Sequence, residues 1–284
     1  MILLASASAI ANEQTILRVG GSAESIYDTK ITDVEILISL LFNEMFAEQD
    51  KQLKIKIYES DQMLSDQLVT GKLDAAFMNP LFYLDHVNHL NKDVTFAVRH
   101  GPTIKPKYVL LVRQDSNIDS LDKLRNKRLI VPSGHIMGKR FLDVELLRSG
   151  LPISEEIFSE IRYTGESNAA IINLFFGQVD AALVTDFSYE VASELNRQIP
   201  QTLQAILTSK PLVHMLISVR KGLPSEVIEK VLPFADVLHQ LPRLKYLQKT
   251  FRFEGVIRIN NDDLHDIDIL NSEYSQLKSK SLTR

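Results

Sequence analysis

One hexapeptide occurs twice in this chain, and it constrains the fold more than any other feature. The segment Gly71–Ala76 reads GKLDAA, and the segment Gly177–Ala182 reads GQVDAA. Each copy follows a stretch of helical character and runs into a short apolar segment. Glycine is preferred just past the end of a helix because it adopts positive φ without a Cβ penalty. Each copy therefore reads as a helix, a glycine stop, a strand and a loop.

Two such units predict two similar α/β lobes, each with a ligand-binding loop at the carboxyl end of its strand. Polar residues break both apolar segments, at Asn79 and at Asp186. Because strands and helices alternate along the remaining chain, we expect mainly parallel sheets. We expect Asp74 and Asp180 to be structural, since they precede the strands and lie away from the loops. The alternative is a common helix–strand junction that occurs twice by chance.

Composition excludes several classes of function, since the 284-residue chain has no cysteine to form disulfides, thiolate metal sites or cysteine nucleophiles. A formal net charge of −4 offers no basic surface for nucleic acid. The sequence contains no G-x-S-x-G, H-E-x-x-H or dinucleotide-binding glycine motif. His86 and His89 share a predicted helix, but the sequence nominates no further metal ligands. We therefore predict that the protein is not an enzyme and uses no cofactor and no metal.

Residues 1–11 read MILLASASAIA and resemble the end of a secretory signal peptide. The segment ends in Ala9-Ile10-Ala11, which has the A-x-A form of a cleavage site, although the positively charged leader is missing. It is too short to span a bilayer, and no later stretch reaches about 18 apolar residues. We expect an exported, periplasmic protein with a truncated signal sequence. The alternative is the N-terminus of a cytoplasmic protein.

Several sequence landmarks follow one another in a recognisable order. They are Gly71–Tyr83 (GKLDAAFMNPLFY), Tyr108–Ser116 (YVLLVRQDS), Met137-Gly138 ahead of Gly150, and Thr164–Ala170 (TGESNAA) ahead of Gly177–Ala182. In these residues the chain resembles the phosphate/phosphonate-binding family of periplasmic solute-binding proteins of ABC importers. The resemblance runs from about Leu17 to Arg220. It implies two α/β lobes joined by two crossing strands, with the ligand bound in the cleft between them.

The resemblance also implies how the chain divides between the lobes. Residues 1–11 are the signal remnant, residues 12–111 and 213–284 form lobe 1, and residues 112–212 form lobe 2. We expect the crossing hinge strands near Leu110–Asp115 and Thr208–Met215.

The chain departs from the family at two places in the anion site that the resemblance implies. Where the family has Ser-Thr-Ser-Gly at a helix N-terminus, this chain has His135–Gly138 (HIMG), so three hydroxyls are absent. Where the family tends to carry a His-Asp pair, this chain has Ser167 and Asn168. The sequence therefore does not select one ligand class among phosphonate- or phosphate-like compounds, other oxyanions and small polar molecules.

The loop that begins at Ser133 is the most informative candidate site. It opens a predicted helix, and helix N-termini attract anions through free N–H groups and the helix dipole. Its candidate ligand-binding residues are Ser133, His135 and, at a position of the family motif, Met137. Lys139 and Arg140 oppose the dipole, as expected if an anion binds nearby. The alternative is a solvated loop with two surface cations.

Eight further candidate ligand-binding residues lie where predicted strands end or helices begin. They are Tyr27, Asn79, Tyr83, Tyr108, Glu166, Ser167, Asn168 and Asp186. The tyrosines can stack on a ligand or bind it through the hydroxyl, and the others can donate or accept hydrogen bonds. Each also has an ordinary structural alternative as a helix cap, a turn residue or a half-buried core residue.

These features together predict an exported, non-catalytic solute-binding protein. It captures a small polar or anionic ligand between two lobes and delivers it to the membrane permease of an ABC importer. The alternative is a periplasmic sensor module that signals to a membrane receptor kinase. We expect a monomer that binds no nucleic acid.

Overall fold

A computed structural model describes residues 15–26, 31–45, 51–100, 102–237 and 253–281, and within them the strands form two sheets. The first sheet contains β1 (Thr15–Ser22), β2 (Lys51–Tyr58), β3 (Ala75–Met78), β4 (Leu90–His100), β10 (Leu216–Arg220) and β11 (Phe253–Arg258). The second contains β5 (Tyr108–Arg113), β6 (Arg128–Pro132), β7 (Glu160–Thr164), β8 (Ala181–Thr185) and β9 (Leu203–Thr208). The predicted signal remnant lies outside the described residues.

Helices connect the strands and cover the sheets. They are α1 (Ile31–Met45), α2 (Asp61–Val69), α3 (Pro80–His86), α4 (Ile136–Arg148), α5 (Ser154–Ile157), α6 (Ser167–Phe175), α7 (Asp186–Leu195), α8 (Ile199–Thr202), α9 (Ser225–Val237) and α10 (His265–Ser281). Among the helices in the described ranges, none has both the length and the apolar character needed to cross a bilayer.

The five strands of the second sheet are arranged like five of the six strands of the first, and β11 has no counterpart. The strand order is β11-β4-β10-β3-β1-β2 in the first sheet and β7-β6-β8-β5-β9 in the second. In each sheet a parallel trio, β2-β1-β3 or β7-β6-β8, is followed by an antiparallel strand, β10 or β5. The expectation of mainly parallel sheets is therefore wrong, and both sheets are mixed. The reason is that the chain reaches β5 and β10 from the other lobe. Each of these strands begins at the edge of the sheet where the parallel strands end, so it runs in the opposite direction to them.

Both copies of the hexapeptide adopt the same conformation at the end of a helix. Gly71 and Gly177 have φ of +69° and +70°, the left-handed region that glycine populates at helix ends. The strand follows within a few residues in each case, at β3 and at β8. The predicted sequence of helix, glycine stop and strand is confirmed in both units.

The aspartate of each hexapeptide binds an arginine on the neighbouring parallel strand. Asp74 Oδ2 accepts hydrogen bonds from Arg18 N at 3.0 Å and Arg18 Nε at 2.9 Å. Asp180 Oδ2 accepts from Arg128 N at 2.8 Å and Arg128 Nε at 3.0 Å. In return, the N–H of each aspartate donates to the carbonyl of its arginine, at 2.8 Å and 3.0 Å. These two arginine–aspartate pairs give both aspartates the structural role predicted from the sequence.

The pair in the first sheet includes a third strand. Asp74 Oδ1 also accepts from Arg220 Nε of β10 at 3.1 Å. The Asp74 side chain is 7% exposed, whereas that of Asp180 is 29% exposed. Asp74 therefore joins three strands at a buried position, while Asp180 joins two at a half-buried one.

Two segments carry the chain between the sheets, one between β4 and β5 and one between β9 and β10. They bind each other: Leu212 N donates to Pro106 O at 3.0 Å, and Ser209 N donates to Tyr108 O at 2.8 Å. The second predicted crossing, Thr208–Met215, coincides with one of them. The first prediction, Leu110–Asp115, is wrong because it begins inside β5.

The apolar run of β5 explains that error. Its residues pair with β8 on one side and β9 on the other, and Leu110 and Leu111 are fully buried. The crossing lies in the more polar residues 102–107 that precede it. The predicted lobe boundary after residue 111 thus falls within a strand, whereas the return boundary before residue 213 lies between strands.

Helix α10 follows a strand of the first sheet but packs on α4 of the second lobe. Arg148 Nε and Nη2 each donate to the Glu273 carboxylate at 2.6 Å. The Arg140 guanidinium lies 3.7 Å from the centroid of the Tyr274 ring. Helix α10 also contacts α3 of the first lobe, so it contacts both lobes.

Replacing Asp74 by alanine is expected to lower the free energy of unfolding by about 1–3 kcal/mol, because the Arg18 N–H and two guanidinium groups lose their acceptor. Urea denaturation followed by circular dichroism measures the change. Asp115→Ala is the matched control, since that carboxylate pairs with Arg113 but is 68% exposed. We expect little change in the control. Equal losses in the two variants would contradict a structural role for the Asp74 pair.

Acid is expected to weaken both arginine–aspartate pairs. Burial raises the pKa of Asp74, but hydrogen bonds from Arg18 and Arg220 outweigh it and hold that pKa below its usual value. Hydrogen bonding to Arg128 likewise lowers the pKa of Asp180. Because the folded pKa values lie below the unfolded value of about 3.9, both carboxylates stabilise the protein above that pH. Their contribution disappears as the pH falls through the folded pKa values.

Asp180→Asn is therefore expected to lower the free energy of unfolding at pH 7. It is also expected to make that free energy fall less steeply as the pH is lowered. Unfolding curves recorded between about pH 7 and pH 2 test this expectation. Parallel stability curves for the wild type and the variant would show that Asp180 contributes no acid sensitivity.

Candidate functional site

A cleft of about 480 Å³ lies between the loops that follow β1 and β6. Ala23 and Glu24 line it from the first lobe, in a single 3₁₀ turn directly after β1. The second lobe supplies the rest of the lining, namely Val131, Pro132, Ser133, Gly134, His135, Ile136, Lys139 and Tyr163. The cleft therefore lies at the carboxyl ends of parallel strands, where open α/β sheets bind ligands.

A tight turn brings the start of α4 to the wall of this cleft. Ser133 N donates to Thr164 O at 2.7 Å, and His135 N donates to Pro132 O at 3.2 Å. Gly134 has φ of +80°, which lets the chain reverse before the helix begins at Ile136. The Ser133 hydroxyl, which lines the cleft, has no hydrogen-bond partner among the described residues.

Among the residues that the structure describes, no side-chain cap is found at the N-terminus of α4. Its N-cap residue, His135, makes no capping hydrogen bond with its side chain. By contrast α2, α3 and α7 are capped by the side chains of Ser60, Asn79 and Thr185. The N–H groups of the first turn of α4 have no acceptor within the helix, and an anion in the cleft can accept from them.

His135 connects this turn to the start of α6. The imidazole is buried, and its Nε2 lies 3.4 Å from Ser167 Oγ. Its ring meets that of Tyr108 edge to face, with centroids 5.6 Å apart. The structure thus brings together three of the residues predicted from the sequence, His135, Ser167 and Tyr108, beside the loop that contains Ser133.

Two of the predicted contact residues pack in the core instead of lining the cleft. Tyr108 is fully buried, and Met137 is buried on the inner face of α4. A Cβ atom added to Gly138 would lie 2.4 Å from the Tyr108 ring. Gly138 therefore allows α4 to pack closely against the Tyr108 ring of β5, and Met137 packs in the core beside it.

The two cations in the first turn of α4 already have partners. Lys139 forms ion pairs with Glu155 and, at 3.7 Å, with Asp143. Burial lowers the Lys139 pKa, but the carboxylates outweigh that effect and the pKa is raised. The Arg140 guanidinium stacks on the ring of Tyr274. An anion in the cleft therefore depends on main-chain N–H groups and hydroxyls more than on these side-chain charges.

The first lobe presents a polar network behind Glu24. Asp61 accepts hydrogen bonds from Ser22 and, at 2.9 Å, from Asn79 Nδ2. Asn79 is buried and caps α3 by accepting from Phe82 N at 2.9 Å. Asn79 therefore supports the cleft wall from behind and does not line the cleft.

The remaining predicted residues lie at various distances from the cleft. Tyr83 is a core residue, and Asp186 Oδ1 accepts from Lys107 N of a crossing segment at 3.1 Å. Glu166 and Asn168 are exposed at the start of α6. Tyr27 lies outside the described residues.

Two polar side chains that line the cleft, those of Glu24 and Tyr163, are absent from the residues predicted from the sequence. Glu24 lies in the loop after β1, and Ser133 lies in the equivalent loop after β6. The repeated topology was therefore the signal that could have located Glu24. Tyr163 lies near the end of β7 and is 60% exposed, although tyrosine at a strand end usually packs against the core.

Both ring nitrogens of His86 lie close to polar atoms of the protein. Its Nδ1 lies 2.9 Å from Phe82 O and its Nε2 lies 2.6 Å from Ser65 Oγ. Across the part of the chain that the structure describes, no group of three His, Asp or Glu residues is placed to hold a metal ion.

Sequence comparison identifies one family. A family model described as "ABC transporter, phosphonate, periplasmic substrate-binding protein" matches residues 32–264. That range includes both hexapeptides and the candidate loop. No curated protein sequence matches the chain.

Solved structures share the fold at low sequence identity. PhnD1 from Prochlorococcus marinus in complex with methylphosphonate has a TM-score of 0.66, at 16% identity over 92% of this chain and 98% of that chain. A binding protein of an ABC phosphonate transporter from Pseudomonas aeruginosa has a TM-score of 0.68, at 12% identity over 95% of this chain and 89% of that chain. The aliphatic sulphonate binding protein SsuA from Escherichia coli has a TM-score of 0.54, at 15% identity over 94% of this chain and 88% of that chain. The predicted two-lobe α/β fold is confirmed.

Gly138→Ala is expected to destabilise the protein by about 1–3 kcal/mol, because the added methyl overlaps the Tyr108 ring and that ring is fully buried. The gain in helix propensity, at most about 1 kcal/mol, does not offset the overlap. Gly165→Ala is the control, because a Cβ there meets nothing within 4 Å. Thermal unfolding compares the two, and a Gly138→Ala protein as stable as the control would refute the close packing.

Proposed function

The chain belongs to the family of periplasmic substrate-binding proteins of ABC phosphonate transporters, and we propose that it binds a small polar or anionic ligand in the cleft described above. The observation that carries this proposal is the uncapped start of α4 on the cleft wall. Its free N–H groups and the positive end of the helix dipole favour an oxyanion. The volume of about 480 Å³ suits a small molecule.

The ligand that fits this site is an oxyanion such as a phosphonate, phosphate or sulfonate. Methylphosphonate is bound by the Prochlorococcus relative, and an aliphatic sulphonate-binding protein shares the fold. In this chain Ser133 is the hydroxyl of the loop that faces the cleft, and His135 and Ser167 stand beside it. A single loop hydroxyl leaves more of the binding to main-chain N–H groups than a loop of three hydroxyls would.

Closure of the lobes on the ligand is the mechanical part of the proposal. The cleft has one wall on each lobe, so a ligand that contacts both walls favours the closed arrangement. The segments around residues 102–107 and 209–215 are the connections about which the lobes would rotate, since they carry the chain between the sheets. The contact between Lys107 N and Asp186 Oδ1 links one of them to the start of α7.

The closed form would be presented to the permease of an ABC importer in the periplasm. This partner follows from the family to which the chain belongs. The protein acts as a monomer that releases its ligand unchanged. Incubation of each binding ligand with the pure protein, followed by analysis of the recovered ligand, tests for turnover.

A thermal-shift screen of phosphate, alkylphosphonates, alkylsulfonates and carboxylates tests the ligand class. A compound that binds only the native state stabilises it by about 2.7 kcal/mol at a hundredfold excess over its Kd. At least one oxyanion is expected to raise the Tm. If no compound of these classes does so, the proposed ligand class is wrong.

Ser133→Ala is expected to weaken the binding of a confirmed oxyanion by about 10- to 100-fold, because a hydrogen bond to a charged group is lost. Isothermal titration calorimetry measures the affinity. Ser149→Ala is the matched control, since Ser149 lies at the opposite end of α4 and its hydroxyl donates to Glu145 O. Affinity that is unchanged in Ser133→Ala would place the ligand elsewhere.

A further inference from the structure

Helix α10 reaches the second lobe by a connection that is separate from the two crossing segments. Strand β11 pairs with β4 in the first sheet, and Ile259 N still donates to Thr95 O of β4 at 3.0 Å. Helix α10 then begins at His265 and packs on α4 of the second lobe. The chain therefore passes from the first lobe to the second again, through residues 260–264.

This third connection lies beside the first crossing segment. Lys105 Nζ is 3.2 Å from Asp263 Oδ1, in the 3₁₀ turn Asn261–Leu264. A capping box closes the turn, since the Asn260 side chain accepts from Asp263 N and the Asp263 side chain accepts from Asn260 N. The two crossing segments bind each other. All three connections therefore lie together, at the place about which the lobes would rotate.

Two side-chain contacts hold α10 at two places along α4. Arg148 Nε and Nη2 both donate to the Glu273 carboxylate at 2.6 Å, in a bidentate ion pair. The Arg140 guanidinium lies 3.7 Å from the centroid of the Tyr274 ring. A bidentate pair fixes the orientation of its partners as well as their separation. These contacts therefore restrict both the position and the rotation of α10 on α4.

Apolar packing also joins α10 to both lobes. Ile267 and Leu270 of α10 are buried, in the same cluster of apolar side chains as Leu142 and Leu146 of α4 and Phe82 of α3. The contact of α10 with α4 is more extensive than its contact with α3. A rotation of the lobes changes the spacing between α3 and α4, and the smaller contact is the one that gives way.

We propose that α10 moves with the second lobe, held by the Arg148–Glu273 ion pair, and that residues 260–264 act as a third hinge. This inference rests on the proposed function, in which the lobes rotate when a ligand binds. A few residues at a loop or helix end can absorb such a rotation. The second moving body then includes α10, although the chain reaches this helix from the first sheet. Because α4 begins at the cleft wall, α10 is carried by the same helix that meets the ligand.

Two distances measured from α10 test the proposal. The chain has no cysteine, so a spin label at Ser272→Cys of α10 can be combined with one at Glu59→Cys of the first lobe or at Gly165→Cys of the second. Ser272 and Glu59 are exposed, and a Cβ at Gly165 meets nothing within 4 Å. Pulsed electron paramagnetic resonance measures each distance alone and with an excess of inorganic phosphate, methylphosphonate or propanesulfonate.

With at least one of these anions, the distance from Ser272 to Glu59 is expected to change while the distance from Ser272 to Gly165 stays constant. A change in the distance to Gly165 would overturn the proposal, because α10 would not follow the second lobe. The proposed closure would still stand in that case, since a change in either distance shows that the lobes move. If none of the three anions changes either distance, both proposals are refuted.

Reversing one charge tests the role of the ion pair. Glu273→Arg places like charges together at the contact between α10 and α4, so the distribution of distances from Ser272 to Gly165 is expected to broaden without any ligand. The double variant Glu273→Arg/Arg148→Glu restores an ion pair and is expected to return the distribution to its wild-type width. That rescue distinguishes a lost contact from a misfolded protein.

Glu145→Gln is the matched control for the charge reversal. It removes the other carboxylate that Arg148 binds, which lies on α4 itself, and leaves the pair with Glu273 in place. The control is expected to keep the wild-type width. A distribution that stays narrow in Glu273→Arg, or that the reversed pair does not restore, would overturn the role assigned to this ion pair.

Discussion

The pairing of one aspartate with one arginine in each lobe is the interaction on which the strand arrangement depends. Asp74 and Asp180 each stand directly before a strand and bind both the main chain and the guanidinium of an arginine on the adjacent parallel strand. This contact fixes the strand register at the edge away from the cleft. The loops that line the cleft leave from the opposite, carboxyl edge, so both lobes present their loops toward one another.

The two lobes share a topology but use these loops differently, and the difference gives the cleft its chemistry. The helices that follow β3 and β8 are capped alike, by the side chains of Asn79 and Thr185, so the difference lies in the loops that follow β1 and β6. In the second lobe α4 begins without a side-chain cap. One wall therefore offers helix N–H groups, and the other offers the carboxylate of Glu24.

The fold could be predicted from the sequence because its signals are local: a glycine after a helix, an aspartate, and an apolar strand. The partners of the site residues could not be predicted in this way, because each partner lies many positions away in the sequence. From the sequence, Lys139 and Arg140 suggest that an anion binds nearby, yet Glu155 and Tyr274 bind these two cations. The first crossing was misplaced because the apolar run of β5 looks the same whether it crosses between lobes or lies within a sheet. Glu24 was missed because a single carboxylate in a turn carries no local signal of its own.

Closure of the two lobes on a bound ligand is tested most directly by a distance measured between them. Because the chain has no cysteine, Glu59→Cys and Gly165→Cys introduce two sites for spin labels, one just past β2 and one just past β7. Pulsed electron paramagnetic resonance then gives the distance between the labels with and without a ligand that raises the Tm. The distance is predicted to shorten when the ligand binds. An unchanged distance at saturating ligand would contradict binding between two closing lobes.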